Sequence, residues 1–402
     1  MSKHFDIIIG GGGMIGTSLA LALRPLGMQV AIVEPVPRGE PQQPSFDERT
    51  TALSRSTQRM FDAMGLWPDV MAASTPIRHI HVSDAGRFGF SRIDAEEQGV
   101  EALGHVVINR VLGEVLQDEL AQTETVTQFC PARIEAVDVS DERAAVTLDS
   151  GEVLTADLLV AADGARSQLR DLLRIGADIK RYGQTAIIGN LLSEKRPDGV
   201  AYERFTAGGP IAFLPMSGGR TAFVWVAETA DADALLALDD ESFTDRLYAA
   251  FGTRLGRFSK IGKRSAYPLS LSKATRMTAT RSVLVGNAAH GLHPVAAQGF
   301  NLGMRDVAAL CDCISDSRRN GDSMAVTLER YADWRRRDQG TLVRITDSIV
   351  EVFGSTRPAT RFARSVGMLG FDLIPGVRKA FAKQMMGLNG KLPRLSRGVP
   401  LR

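Results

Sequence analysis

Cysteine is scarce: Cys130, Cys311 and Cys313 are the whole complement in 402 residues. An odd number without metal-ligand spacing excludes a disulfide framework and a cysteine-based zinc site, and it points to a reducing compartment. Cys311 and Cys313 stand two apart in a helical stretch, on different sides of it, and are read as packing residues. Long apolar runs are also missing. No window holds 18 uninterrupted apolar residues, so no spanning helix is expected. The opening MSKHFDIIIGGGG passes from a short apolar run straight into glycines and lacks a cleavable signal pattern. The expected location is cytoplasmic. There is no internal repeat, low-complexity tract, Walker A loop or recognisable Ser, His and Asp arrangement. His79 and His81 share a strand face but have no third ligand nearby in sequence, which argues against a metal site.

Charge of one sign is lacking only locally. The net charge is +2, yet residues 356–402 carry ten Lys and Arg against a single acid, Asp372. This segment also holds Phe362, Val366, Met368, Leu369, Phe371, Leu373, Ile374, Phe381, Met385 and Met386. Such a tail suits either a helical lobe with a solvated basic face or docking on anionic lipid or an acidic partner. It lacks the interleaved features that read nucleic acid, so no nucleic-acid partner is expected. An apolar fraction of 44% and a charged fraction of 23% fit a soluble globular chain, and the length allows two or three lobes.

What is present begins with a βαβ pattern. Phe5 to Ile9 reads as a buried strand, Met14 to Leu26 as an amphipathic helix and Gln29 to Glu34 as a second, parallel strand. The turn between them is Gly11-Gly12-Gly13-Met14-Ile15-Gly16, a GxGxxG. Gly11 permits the tight turn, Gly13 lets backbone approach a pyrophosphate, and Gly16 lets the helix pack closely on the sheet. The helix start supplies N–H groups and a positive dipole end to phosphates. Glu34 closes the second strand, where a carboxylate suits the two hydroxyls of an adenosine ribose. Dinucleotide binding follows.

Further along, Pro35 to Phe46 reads as a loop, Thr50 to Met64 as helical, and Asn109 to Gln122 as a helix. Strand patterns occupy Ala132 to Val139, Ala145 to Asp149 and Leu158 to Ala162. From Thr185 to Ala227 the text is strands without long helices, and the chain is helical from Phe300 onward. The expected fold class is α/β: a Rossmann-like lobe with a parallel sheet, an inserted mainly antiparallel β-sheet lobe, and a helical C-terminal region. Residues 1–75, 101–180 and 275–340 make the first lobe, 76–100 and 181–274 the second, and 341–402 the basic helical region.

Two later stretches decide which dinucleotide. LLVAADGARS, with Asp163 and Gly164, ends one apolar strand in an acidic turn. VLVGNAAH, with Gly286 and Asn287, ends another, and it is followed by His293-Pro294 and Gln298-Gly299-Phe300-Asn301. In order and spacing these three motifs resemble the single-component FAD-dependent aromatic hydroxylases typified by para-hydroxybenzoate hydroxylase, over residues 5 to 340. Most of that family carries Asp where this chain has Asn287, whose side-chain oxygen can still accept from a ribityl hydroxyl. The Asn form in VLVGNAAHGLHPVAAQGFNLGMRD, together with SFDERTTALS, HVSDAGRFGF, ERFTAGGPIAFLPM and GKRSAYPLSL, is similar to the ubiquinone-biosynthesis branch, and most of all to its 2-polyprenyl-6-methoxyphenol hydroxylases.

The resemblance implies FAD as cofactor, NAD(P)H as reductant and O2 as co-substrate. Oxygen would be activated at flavin C4a as a hydroperoxide and passed to an electron-rich phenol ring. Gly11, Gly13, Met14, Ile15, Gly16, Glu34, Asp163, Gly164, Gly286, Asn287, Phe300 and Asn301 would bind the cofactor. Arg49 would lie along its phosphates or admit the reductant, and Arg110 would start a helix that touches it; a surface ion pair is the other reading for each. Gln298 and Gly299 would face the flavin pyrimidine carbonyl or merely cap a helix. His290 and His293 flank this loop, and His293-Pro294 either transfers a proton or sets the loop's shape. Implied partners are a polyprenylated phenol, proteins of a ubiquinone-biosynthesis complex, and a membrane touched through the basic region. Other readings are a different ubiquinone-pathway or small-phenol hydroxylase, a flavin dehydrogenase, and a flavin-bearing structural subunit.

Overall fold

A computed structural model describes residues 3–40, 47–86, 90–291, 297–354, 367 and 374–402. Strand Lys3–Gly10 pairs in parallel with Val30–Val33 on one side and Val153–Ala161 on the other. Val126–Phe129 and Ser282–Leu284 extend this sheet in parallel at its two sides. Its order, Thr278–Ala279, Ser282–Leu284, Val153–Ala161, Lys3–Gly10, Val30–Val33, Val126–Phe129, is therefore a mainly parallel sheet assembled from distant segments. A hairpin, Ile134–Val139 and Ala144–Leu148, is added antiparallel to Val153–Ala161.

Both faces of the central strand are covered, which explains its unbroken apolar run. Ile7 and Ile9 point to one side, where helices Met14–Leu23 and Gly299–Asn320 supply Leu19, Leu23, Met304, Val307 and Leu310. Ile8 points to the other, with Val33, Leu159, Leu169 and Ile175. The alternation is the period of two that a strand imposes.

The second sheet has nine strands and is mainly antiparallel, including Val200–Thr206, Gly209–Pro215 and Thr221–Glu228, with one parallel pair between Val200–Thr206 and His79–Asp84. One of its faces carries Phe213, Phe223 and Trp225 against helices Thr229–Leu236 and Asp240–Phe251, which the strand-rich text did not announce. The other face lines a cavity together with residues 52–54, 297–301 and 381–386.

A difference from expectation lies at Thr50 to Met64. Residues Thr50–Ser54 form a strand in a small three-stranded sheet, and the helix spans only Arg55–Ala63. β-Branched Thr50 and Thr51 favour extension, and the Ser54 hydroxyl caps the helix by accepting from the Thr57 amide at 3.3 Å. The C-terminal region is helical over Met324–Gly354 and Pro375–Met385. Part of its basic charge is engaged within the chain: Arg378 pairs with Glu97 at 3.0 Å, Arg394 with Asp312 at 2.8 Å, and Lys391 lies over the Trp334 ring. Phe362, Val366, Met368, Leu369, Phe371 and Leu373 lie outside the described residues. No described helix is long and apolar enough to cross a membrane.

Candidate functional site

The glycine turn is shaped by close approach. Gly11 sits at φ +110°, and a Cβ there would meet the Ala162 carbonyl at 2.6 Å. A Cβ on Gly16 would lie 1.9 Å from the Gly11 oxygen, so this helix start tolerates no side chain. Gly13 is the N-cap of helix Met14–Leu23, which has no side-chain cap and no acid in its first turn. Its end is thus electrostatically open to an anion. Glu34 stands beside it, one carboxylate oxygen 2.7 Å from the Gly12 amide and the other 2.9 Å from that of Val36. Gln117, from helix Asn109–Ala121, reaches the Gly12 carbonyl at 3.2 Å.

The third motif meets the first directly. Gly286 has φ +59°, and a Cβ added to it or to Gly303 would press on Ile15 at 3.2 and 2.8 Å. Asn287 follows in an exposed position on a one-turn helix. Helix Gly299–Asn320 begins with Gln298 as N-cap, again without a side-chain cap or an acid in its first turn. Two uncapped helix starts therefore flank one Gly-lined space. This is the arrangement a diphosphate with an attached electron-accepting ring requires, so the residues fit the dinucleotide named by the motifs.

Beneath that space is a buried ionic network. Asp306 is fully buried; it accepts from the Gly286 amide at 2.9 Å, His290 Nε2 at 2.6 Å, Arg335 Nε at 2.7 Å and Gln339 Nε2 at 3.2 Å. Burial alone would raise the Asp306 carboxyl, but His290 and Arg335 outweigh it and hold it at about 2. Arg335 is paired with Asp338 as well, and Arg305 also reaches Asp338. The anchor thus fixes the Gly286 turn to two long helices.

Other site residues are placed differently. Asn301 is buried: its oxygen takes the Ser54 amide and the Thr57 hydroxyl, both at 2.8 Å, and its nitrogen donates to the Ala52 carbonyl at 2.8 Å. It ties strand Thr50–Ser54 to the helix start. Asp163 accepts from the Leu169 amide at 2.9 Å and from the Ser167 hydroxyl, so its carboxylate organises the next helix; burial raises it, against those bonds. Gly164, at φ +85°, leaves open space. Arg110 pairs with exposed Glu48 at 2.8 Å and half-buried Glu114 at 3.0 Å. Arg49 pairs with Asp47 and stacks on Tyr267 at 4.8 Å. Gln298 donates to the Met385 carbonyl at 3.3 Å. Phe300 packs partly buried on the first core. His293 and Pro294 lie outside the described residues.

A cavity of about 640 Å³ opens from this region. Ser54, Gln298 and Asn301 line one end, and the second sheet forms its floor with Val82, Ala212, Leu214 and Val224. Phe381 and Met385 of helix Pro375–Met385 cover part of it. The size is that of a site for one organic molecule, and the lining is apolar.

Residues 4–346 match the FAD binding domain family. The chain belongs to that family. It is 36% identical to ubiquinone hydroxylase UbiL of Rhodospirillum rubrum, over 99% of this chain and 94% of that protein. It is 31% identical to 3-demethoxyubiquinol 3-hydroxylase of Escherichia coli, over 95% and 98% of the two chains. In fold it is similar to p-nitrophenol 4-monooxygenase PnpA of Pseudomonas putida, with a TM-score of 0.81 at 18% identity, covering 97% of this chain and all of that one.

The chain is thus an FAD-dependent aromatic-ring monooxygenase of the ubiquinone-biosynthesis branch, a family in which O2 is the co-substrate and NAD(P)H the usual reductant. The α/β class with a separate antiparallel sheet is as expected. Sequence reasoning missed Asp306, His290's role as its partner, Arg335 and Gln117. The only signal for Asp306 was its place seven residues after Gly299, on the same helical face as the glycine turn.

Proposed function

We propose that the chain hydroxylates the ring of a polyprenylated phenol, of the 2-polyprenyl-6-methoxyphenol kind, in ubiquinone biosynthesis. The observation that carries this reading is the apolar cavity, which runs from the Gln298 and Asn301 end to the sheet floor and is closed partly by Phe381 and Met385. An isoprenoid chain gains from leaving water there in proportion to the apolar area it covers. The related ubiquinone hydroxylases of similar length support the pathway.

In this reading Gly11, Gly13, Met14, Ile15 and Gly16 hold the diphosphate, Glu34 the adenosine ribose, and Gly286 and Asn287 the ribityl chain. Gln298, Gly299 and Phe300 border the flavin ring, with Asn301 fixing the helix start beneath it. When bound, FAD supplies the redox chemistry that activates O2. The chain's own part is to place the ring, exclude water and control the phenolic proton. Exposed Ile374 and Val377 beside Lys379 and Lys383 suit contact with a lipid surface, from which a prenylated substrate would come.

Deleting the gene tests the proposal. An unhydroxylated prenylphenol should accumulate and disappear on complementation with wild type, but not with Gly13→Val. Normal quinone levels in a deletion strain without a redundant enzyme would refute it.

A further inference from the structure

The cavity face of the second sheet is apolar with one charged exception among its lining residues, Glu203. Strand alternation sends Ala201, Glu203 and Phe205 of Val200–Thr206 to the cavity side. In register, Glu203 lies between Val82 and Ala212, with Ser91 beyond Val82 and Val224 beyond Ala212. The carboxyl therefore stands mid-floor, flanked by methyl-bearing side chains.

No described residue gives Glu203 a hydrogen bond or a counter-charge. Among the described residues, the charged groups near this face are mostly paired with one another or point away from it. His79 contacts Asp94. Asp347 takes Lys180 and Tyr182. Arg378 holds Glu97. Asp84, in register with Phe205, shares the Glu203 face at the far end of its strand; His81, Arg92 and Arg204 are on the opposite face, and Glu228, Arg344, Lys379 and Lys383 are exposed. Burial is the one cause acting on the Glu203 carboxyl, and it pushes the group up to about 7.

An unpaired carboxyl in such a place costs stability that Gln or Leu would not. Its presence is explained by use: a base is most effective when its affinity for protons matches the operating pH. Ser54, Gln298 and Asn301 line the same cavity, so a ring bound in it shares one space with the flavin segments and with Glu203.

Resting on the phenolic substrate proposed above, we propose that Glu203 is the catalytic base that accepts the substrate's phenolic proton during hydroxylation. The phenol O–H bond breaks, its proton goes to a Glu203 oxygen, and its electron pair moves into the ring as the new C–O bond forms. The attacked carbon then loses its hydrogen as a proton to solvent, the C–H electron pair restores aromaticity, and Glu203 returns its proton to the original oxygen. O2 is the oxidant and NAD(P)H the reductant; one oxygen enters the ring and the other leaves as water.

The test uses purified FAD-loaded enzyme with 2-methoxy-6-prenylphenol bearing a single isoprene unit, NAD(P)H and O2. Glu203→Gln should keep its FAD content and melt no lower than wild type but lose product formation by about 10²-fold, within the range of general base catalysis. NAD(P)H oxidation should continue in the variant, with H2O2 released in place of product. The wild-type rate should fall below an apparent pKa near 7, because the protonated carboxyl cannot accept a proton, and this limb should vanish in Glu203→Gln. Glu203→Asp should restore part of the rate and the limb, whereas Glu203→Leu should fold and stay slow. A Glu203→Gln variant with wild-type turnover, or one with a raised KM and an unchanged pH limb, overturns the assignment. If wild type itself leaves the prenylphenol unhydroxylated, the substrate proposal fails instead, and the two failures are distinct.

Discussion

Replacing Asp306 by Asn probes the anchor under the Gly286 turn most sharply. The carboxylate accepts four hydrogen bonds, two on each oxygen. An amide keeps one acceptor oxygen. Whichever way it turns, its NH2 faces donors, either the Gly286 amide with His290 or Arg335 with Gln339. Removing one partner of a buried charge pair costs about 3–5 kcal/mol. At about 2.1 cal/mol/K of unfolding entropy per residue, 402 residues give ~0.8 kcal/mol/K, so the melting temperature should fall by about 4–6 °C. The effect has a pH signature. Asp306 is held at about 2, against an ordinary 3.8, so its ionisation stabilises the folded chain fully above about pH 4 and is lost as pH falls toward 2. That shift corresponds to ~2 kcal/mol. The stability gap between wild type and Asp306→Asn should therefore be constant from pH 7 to 5 and narrow by roughly that amount as pH falls through 4 toward 2. Urea unfolding of both proteins over this range, with flavin content measured in parallel, reads the result. An unchanged melting temperature, or a gap that widens in acid, would refute the network's role.

Other expectations follow from individual contacts. Gly16→Ala puts a Cβ against the Gly11 carbonyl, so FAD titration should show at least about tenfold weaker binding, ~1.4 kcal/mol. Asn301→Ala leaves the buried Ser54 amide and Thr57 hydroxyl without their acceptor, at about 1–3 kcal/mol each; thermal melts should show the loss together with reduced flavin content. Ala212→Phe fills the floor of the cavity, so long-chain prenylphenols should lose kcat/KM while FAD binding is retained. A thiol reagent should label exposed Cys130 in the native enzyme and reach Cys311 and Cys313 only on unfolding, since burial raises both thiols, Cys313 to about 12.

The first lobe was legible because its chemistry is local. GxGxxG, the apolar run of Phe5 to Ile9 and Glu34 lie within 34 residues, and their spacing alone specifies a parallel βαβ unit. The antiparallel sheet was legible from alternation. Its helices over 229–251 were not, because mixed segments such as TADADALL carry little periodic signal. Glu203 was written in the text, but its exposure to the cavity depends on register with residues near 82 and 212, which no spacing reveals. Asn301 shows what spacing leaves out. Its motif suggested direct cofactor contact, whereas the fold brings Ser54, 247 positions away, onto its oxygen. Arg110 likewise finds Glu48 and Glu114. The basic C-terminal region looked free in sequence because its partners Glu97 and Asp312 lie far upstream.

The most direct measurement supplies 18O2 and NAD(P)H to the FAD-loaded enzyme with a prenylated methoxyphenol and weighs the product. One 18O atom per product molecule is predicted, with none taken from labelled water. Reductant consumption that yields only peroxide, or a product whose new oxygen comes from water, would contradict a flavin site coupled to the apolar cavity.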